Sequence, residues 1–331
     1  MKVLVAGIGG IGGWLAGTLA RGGADVTLYA RGLTLARLRE DGLRLIGSDG
    51  EERFRLPVWD GAGSPASIPD VVLICSKAQD VGAVAQGLAS ALAHGPAVSA
   101  VVNGLPWWFL DGLNAPLAKR DLESIDPGGR ARAAFSGLKA IGAVVHASSH
   151  AVEPGVIRLN KQDRLILGDP DGGLSPAIQD LARLCEAGGL SCPVTPDIRT
   201  EIWIKLWGNM SVNPPSALTG LSTGPLHELP ETLTLIKDLM REFDAVGQKL
   251  GLRLPMSIDE RIEVTRFLGD FRPSMLVDAQ AGRTLELDAV LGCIVELAEL
   301  LGGMPIPASR AVYALAKGLN RRFELARGED R

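Results

Sequence analysis

The rhythm of hydrophobic and polar positions changes once along this chain, near residue 197. Before it, short runs rich in Val, Leu and Ile alternate with stretches of helical spacing. KVLVAG (2–7), DVTLYA (25–30), VVLICS (71–76) and AVSAVVN (97–103) read as strands, with IGGWLAGTLARGG (11–23), TLARLRE (34–40) and VGAVAQGLASALA (81–93) as the helices between them. VVLICS carries no charge, as a strand buried on both faces requires. The alternation predicts a parallel, doubly wound sheet. GLRLIG (42–47) and RFRLPVW (53–59), joined through Ser48-Asp49-Gly50, predict a hairpin. LKAIGAVVHA, GVIRLN and RLILGD within 138–169 predict further strands, and PAIQDLARLCEAGG (176–189) a helix. Residues 106–136 keep neither rhythm and read as an excursion carrying Trp107-Trp108-Phe109. After 197 strand signals fade, and helical spacing occupies 197–212, 230–250, 257–268, 285–302 and 307–326. The expected class is α/β: a parallel-sheet domain over 1–196, then an all-α domain over 197–331.

Within the second half, EIWIKLWGNMSVNPPSAL (201–218) sets a specific puzzle. Glu201, Lys205, Asn209 and Asn213 fall four apart, so a helix aligns them in one stripe. The other faces carry Ile202, Trp203, Ile204, Leu206, Trp207 and Met210, a pattern typical of a buried helix. An unpaired lysine is too costly to bury. The stripe therefore needs partners or a wet cleft, with plain solvent exposure as the alternative.

Composition narrows the function classes. The 331 residues suffice for two domains, and 46% hydrophobic with 22% charged residues is ordinary for a globular protein. A formal net charge of −4 offers no basic footprint for nucleic acid. No apolar run has the length of a membrane span, and the N-terminus has no separate signal-peptide core, so a cytoplasmic location is expected. Cys75, Cys185, Cys192 and Cys293 have no paired spacing and read as free thiols, while His94, His146, His150 and His227 lack metal-ligand spacing. The helical half is the expected place for a homodimer contact.

Candidate chemistry begins at Gly7-Ile8-Gly9-Gly10-Ile11-Gly12. This is G-x-G-x-x-G set between a strand and a helix, the context in which the pattern signifies dinucleotide binding. Gly7 allows the tight turn, Gly9 the approach of a pyrophosphate, and Gly12 the close packing of helix on strand. Free N–H groups and the helix dipole then favour the phosphates. An NAD site places an acid after the second strand, but this sequence has Tyr29-Ala30-Arg31-Gly32. Arg31 suits a 2′-phosphate, which points to NADP(H), a solvated surface arginine being the alternative. Lys77 and Asn103 follow two other strands on the same rim, as cofactor or substrate ligands or as mere caps.

Together these pieces resemble the ketopantoate reductase (2-dehydropantoate 2-reductase) family over nearly the whole chain. The likeness rests on GIGGIGG, Arg31, CSKAQD, VVNGLP, the Lys205/Asn209/Asn213 helix, RPSMLVDAQAGRTLELD (272–288) and GGMPIPASRAVYALAK (302–317). The resemblance implies a Rossmann-type domain, a helical domain and a substrate cleft between them. It implies Lys205 as general acid and Glu286 as the second catalytic residue, binding the substrate hydroxyl. Asn209, Asn213 and Ser274 would hold the substrate, and Asn103 would stand at the nicotinamide–substrate junction with Lys77 nearby. Gly7, Gly9, Gly10, Ile11, Gly12 and Arg31 would bind NADP(H). Two features depart from the family pattern: the long 106–136 stretch, and Thr223 at a position sometimes asparagine. The expected reaction is NADPH-dependent reduction of a small 2-oxo acid, foremost ketopantoate in pantothenate biosynthesis. Another branched 2-oxo acid, a β-hydroxyacid dehydrogenase activity, and a non-catalytic NADP-binding redox sensor stand as alternatives.

Overall fold

The structure is a computed structural model that describes residues 1–113, 117–267 and 269–328. Parts of two sequence expectations, residues 114–116 of the 106–136 excursion and residue 268 of the 257–268 helix, lie outside the described residues. By internal contacts the chain divides into two units. The first holds Met1–Val102, Pro106–Phe109 and Asp126–Glu201; the second holds Asn103–Leu105, Leu110–Ile125 and Ile202–Arg331.

The first unit runs β1 (Lys2–Ala6), α1 (Gly10–Arg21), β2 (Asp25–Tyr29), α2 (Gly32–Asp41), β3 (Leu43–Gly47), β4 (Gly50–Phe54), β5 (Val58–Trp59) and β6 (Val71–Ile74). Then come α3 (Val81–Gly87), α4 (Ala89–Leu92), β7 (Ala97–Ala100), α5 (Arg130–Ala134), β8 (Gly142–Glu153), β9 (Val156–Gly168), α6 (Pro176–Ala187) and β10 (Val194–Thr195). One sheet has the order β5-β2-β1-β6-β7 and is parallel throughout. Its strands bury both faces. Val3, Val5, Val26 and Leu28 enter the core around α1, whereas Leu4, Ala6, Val72 and Ile74 enter the core beneath α3.

The second sheet, β10-β9-β3-β4 with β8 added to β9, is mixed. Helix α1 packs against it through its small residues: a Cβ on Gly13 would strike Ile157, and one on Gly17 would strike Leu45. The expected hairpin is present as β3 and β4, paired Leu43 to Phe54. Its outer half is corrected, because Val58–Trp59 leave it to join β2 in the parallel sheet. The 138–169 stretch forms two long antiparallel strands instead of three short ones, with register shifts along the ladder. These strands run on through exposed residues, where apolar alternation gives no signal.

The second unit is helical. It holds most of α7 (Ile198–Thr219), then α8 (Thr223–Glu228), α9 (Pro230–Lys249), α10 (Ile258–Phe267) and α11 (Ser274–Gln280). A π turn (Asp288–Gly292) leads into α12 (Cys293–Leu300), and α13 (Pro307–Ala326) follows. Ile202, Trp203, Leu206, Trp207 and Met210 of α7 are buried, with the Trp203 and Phe243 rings 4.0 Å apart and Trp207 Nε1 donating to the Met240 carbonyl at 3.2 Å. The helix continues past the expected end at 212, straight through Pro214 and Pro215. Both prolines are buried, and packing of that turn offsets the two lost N–H donors. No helix among the described residues is long and apolar enough to cross a membrane.

Candidate active site

In the first unit, each glycine of the loop between β1 and α1 is required for a different reason. Gly7 has φ +88°, and a Cβ there would stand 2.7 Å from the Ser76 nitrogen at the end of β6. A Cβ on Gly12 would lie 2.1 Å from the Gly7 carbonyl, so the helix can approach its own turn only without a side chain. Gly10 is demanded by β8, whose Ser149 carbonyl would be 2.4 Å away. Gly9 differs from all three: nothing lies within 4 Å of its Cβ position. The space that glycine keeps open is at the N-terminus of α1, which has no side-chain cap and no acid in its first turn. Such an end offers N–H groups and a positive dipole to an anion. Ile11, the next residue, is half-buried against the α1 core.

Arg31 directly follows β2 and Ala30. It is exposed, its guanidinium sits 5.9 Å from the Tyr29 ring centroid, and it makes no ion pair or side-chain hydrogen bond among the described residues. Lys77 is half-buried where β6 gives way to a short turn, its carbonyl accepting from Asp80 at 2.9 Å. The residues available for a dinucleotide therefore fit one: an open glycine cradle, an anion-seeking helix end and an uncommitted guanidinium.

In the second unit, Asn103, Lys205 and Glu286 come together. Asn103 Nδ2 donates to Glu286 Oε2 at 3.2 Å. Lys205 is half-buried, and loss of water lowers its ammonium pKa from 10.5 to about 8, while the charge of Glu286 acts the opposite way. Gly104 makes the approach of Asn103 feasible, since at φ +96° its Cβ would lie 2.3 Å from the Ala289 carbonyl in the π turn. Asn209 and Asn213 share the Lys205 stripe, Asn209 half-buried and Asn213 buried. Ser274 is exposed at the first position of α11 and makes no side-chain hydrogen bond among the described residues. Thr223 is buried and latches the segment before Ser274: its hydroxyl accepts from the Phe271 N–H at 2.9 Å.

Trp108 is core, 3% exposed, with the Arg199 guanidinium 5.4 Å from its ring. Trp107 is half-buried, its ring tilted 50° against that of Phe135 with centroids 4.5 Å apart. A groove of about 970 Å³ over Trp207, walled by Lys237, Arg241, Asp244 and Asp259, shares no residue with the Lys205 set.

Residues 3–107 match the family model described as Ketopantoate reductase PanE/ApbA, and residues 197–320 match Ketopantoate reductase PanE/ApbA C terminal. A 2-dehydropantoate 2-reductase of Mesorhizobium japonicum is 38% identical over 321 residues, 96% of this chain and 98% of that protein. The chain belongs to the ketopantoate reductase family. It is thus an oxidoreductase of the 2-dehydropantoate 2-reductase type. Two crystal structures share the fold of this ketopantoate reductase family member. The 2-dehydropantoate 2-reductase of Methylococcus capsulatus has a TM-score of 0.83 at 28% identity, covering 98% of each chain. The PanE/ApbA family ketopantoate reductase of Ralstonia eutropha JMP134 has a TM-score of 0.81 at 26% identity, covering 98% of this chain and all of that one (100%).

The elements that sequence reasoning missed are the π turn beside Glu286 and the α13 side chains that hold it. Gly104-Leu105-Pro106 was a visible turn signal, but nothing in the sequence announces that Ala289 fills the space beside it.

Proposed function

We propose that this protein reduces a 2-oxo acid to a 2-hydroxy acid with NADPH, and that its reaction is 2-dehydropantoate (ketopantoate) to pantoate in pantothenate biosynthesis. The observation that carries the reading is the Asn103–Glu286–Lys205 cluster on the helical unit, in a chain of this family. Residues 1–196 would serve as the NADP-binding domain and 197–331 as the substrate domain, in a protein of the cytoplasm. Family membership implies a nicotinamide cofactor. Gly7, Gly9, Gly10, Ile11 and Gly12 would hold its pyrophosphate, Arg31 its 2′-phosphate, and Lys77 and Asn103 its remaining polar groups. When bound, the cofactor supplies the hydride to the ketone carbon.

The chain's own residues do the rest. Lys205, as an ammonium, polarises the ketone oxygen and gives it a proton as charge develops there. A pKa near 8 suits that task, since the group is mostly charged at neutral pH yet releases its proton more readily than an ordinary lysine. Glu286 stands beside the ammonium and accepts the substrate hydroxyl. Asn103 anchors that carboxylate by its amide. Asn209, Asn213 and Ser274 orient the acid without adding like charge. The half-buried setting of Lys205 beside Glu286 favours catalysis over a redox-sensor role, which has no use for a proton donor.

A panel of branched 2-oxo acids, each tried with NADPH and NADH while reduced-nicotinamide absorbance is followed, tests the reading. Ketopantoate with NADPH should give the highest kcat/KM. A clear preference for another 2-oxo acid, or turnover only of β-hydroxyacids, would reject the substrate assignment.

A further inference from the structure

The 302–317 stretch carries family likeness, yet the function proposed above assigns its residues no task. In the structure that stretch enters α13, and one face of α13 grips both sides of Glu286. Asn320, only 7% exposed, accepts from the Leu285 N–H through Oδ1 at 2.9 Å and donates to the Leu285 carbonyl through Nδ2 at 3.3 Å. On the other side, Tyr313 donates its hydroxyl proton to Asp288, and Lys317 Nζ reaches both Asp288 oxygens at 3.3 Å. Tyr313, Lys317 and Asn320 are spaced four and three apart, so they form one row on the helix.

Asp288 opens the π turn, an arrangement rare enough in helices to mark a demand on local geometry. Within that turn the Val290 N–H donates to the Glu286 carbonyl at 3.2 Å, and the Ala289 carbonyl abuts Gly104. Gly104 adjoins Asn103, whose amide returns to the Glu286 carboxylate. The contacts close a ring from α13 through the turn to Glu286.

We propose that the Tyr313–Lys317–Asn320 face of α13 is the positioning element for Glu286, fixing the backbone before it and the turn after it so that the carboxylate is held toward Asn103 and Lys205. Tyr313 and Asn320 are positioning residues, acting on the reaction only through Glu286. The consequence for Lys205 rests on the function proposed above. The charged and titratable groups concerned are Glu286 facing Lys205, Glu201 one turn earlier on α7, and Arg261 of α10 against Gly208. Around the turn they are Asp288, Tyr313, Lys317, Cys293 and Glu296. Since Glu286 raises the Lys205 pKa, a carboxylate released from its place lets that pKa fall.

Tyr313→Phe removes one hydroxyl and little volume; Asn320→Leu keeps size and removes both hydrogen bonds. Two readouts apply to each: the pH midpoint of Lys205 acylation in the cofactor-free protein, followed by mass spectrometry, and kcat with ketopantoate and NADPH. In both variants the acylation midpoint should move below the wild-type value, and kcat should fall about three- to tenfold, the worth of one aligned hydrogen bond. In a Glu286→Gln background the same substitutions should add nothing. An unmoved midpoint, or an equal loss in the Glu286→Gln background, would overturn the proposal. Should Asn320→Leu fail to fold, Tyr313→Phe alone decides. A wild type inactive on every 2-oxo acid would sink the proposed reaction, while the acylation midpoints would still judge α13.

Discussion

The pKa of Lys205 offers a quantitative handle on the proposed proton transfer. The unfolded-chain value is near 10.5 and the folded value about 8, lowered by burial and held from falling further by Glu286. If the ammonium is the acid, kcat/KM for reduction follows its protonated fraction. With a pKa near 8 that fraction is about nine-tenths at pH 7 and about one-tenth at pH 9, a roughly tenfold loss. A lysine at its ordinary value would remain almost fully charged across the same interval, with nearly no loss. The oxidative direction needs the neutral amine, so its kcat/KM should rise with pH over the same range. Stability moves with its own sign. Between about pH 8 and 10.5 the unfolded chain binds more protons than the folded one, so this group's contribution to stability rises with pH there. The burden of burying the charged form is fully present below pH 8. Lys205→Ala should abolish the alkaline limb and cost roughly 10²–10⁴-fold in kcat while cofactor binding is retained. Initial rates in both directions from pH 6 to 10, with fluorescence titration of bound NADPH, provide the measurement. A flat reductive profile up to pH 9, or a Lys205→Ala enzyme with wild-type turnover, would refute the assignment.

Three further outcomes follow from side chains outside that cluster. Gly9→Ala should melt like the wild type yet bind NADPH far more weakly, because its Cβ position is open, whereas Gly12→Ala, blocked by the Gly7 carbonyl at 2.1 Å, should lower the melting temperature sharply; melting and NADPH fluorescence separate the two. Arg31→Ala should raise the KM for NADPH by about one to two decades and leave that for NADH nearly unchanged, reflecting a charge-assisted contact of roughly 1.5–3 kcal/mol; equal losses would show that Arg31 does not read the 2′-phosphate. Trp108→Ala should destabilise by about 3–5 kcal/mol in denaturant titrations without changing the order of preference among 2-oxo acids, as its burial makes it core.

Local chemistry was the legible part of this chain. A strand, a glycine turn and a helix declare themselves because Gly7, Gly10 and Gly12 answer backbone demands that no other residue meets, while Gly9 keeps the helix end open. Lys205, Asn209 and Asn213 were readable as a stripe because a helix fixes their azimuth. The extent of α7 was not, since prolines ordinarily end a helix and only tertiary packing holds Pro214 and Pro215 within one. Long-range partners were equally invisible. Asn320 and Tyr313 lie more than twenty-five residues from Glu286 in sequence, and no spacing rule links a helix face to a π turn. The strands of 138–169 were legible but not their full length, because much of the β8–β9 ladder is exposed and follows no apolar alternation.

The central claim, that this chain reduces ketopantoate with NADPH, is tested most directly by incubating the purified protein with both and identifying the product by mass spectrometry alongside nicotinamide absorbance. The account predicts one pantoate formed per NADPH consumed, with far slower turnover when NADH replaces it. Unchanged ketopantoate, with the protein folded and NADPH bound, would contradict it.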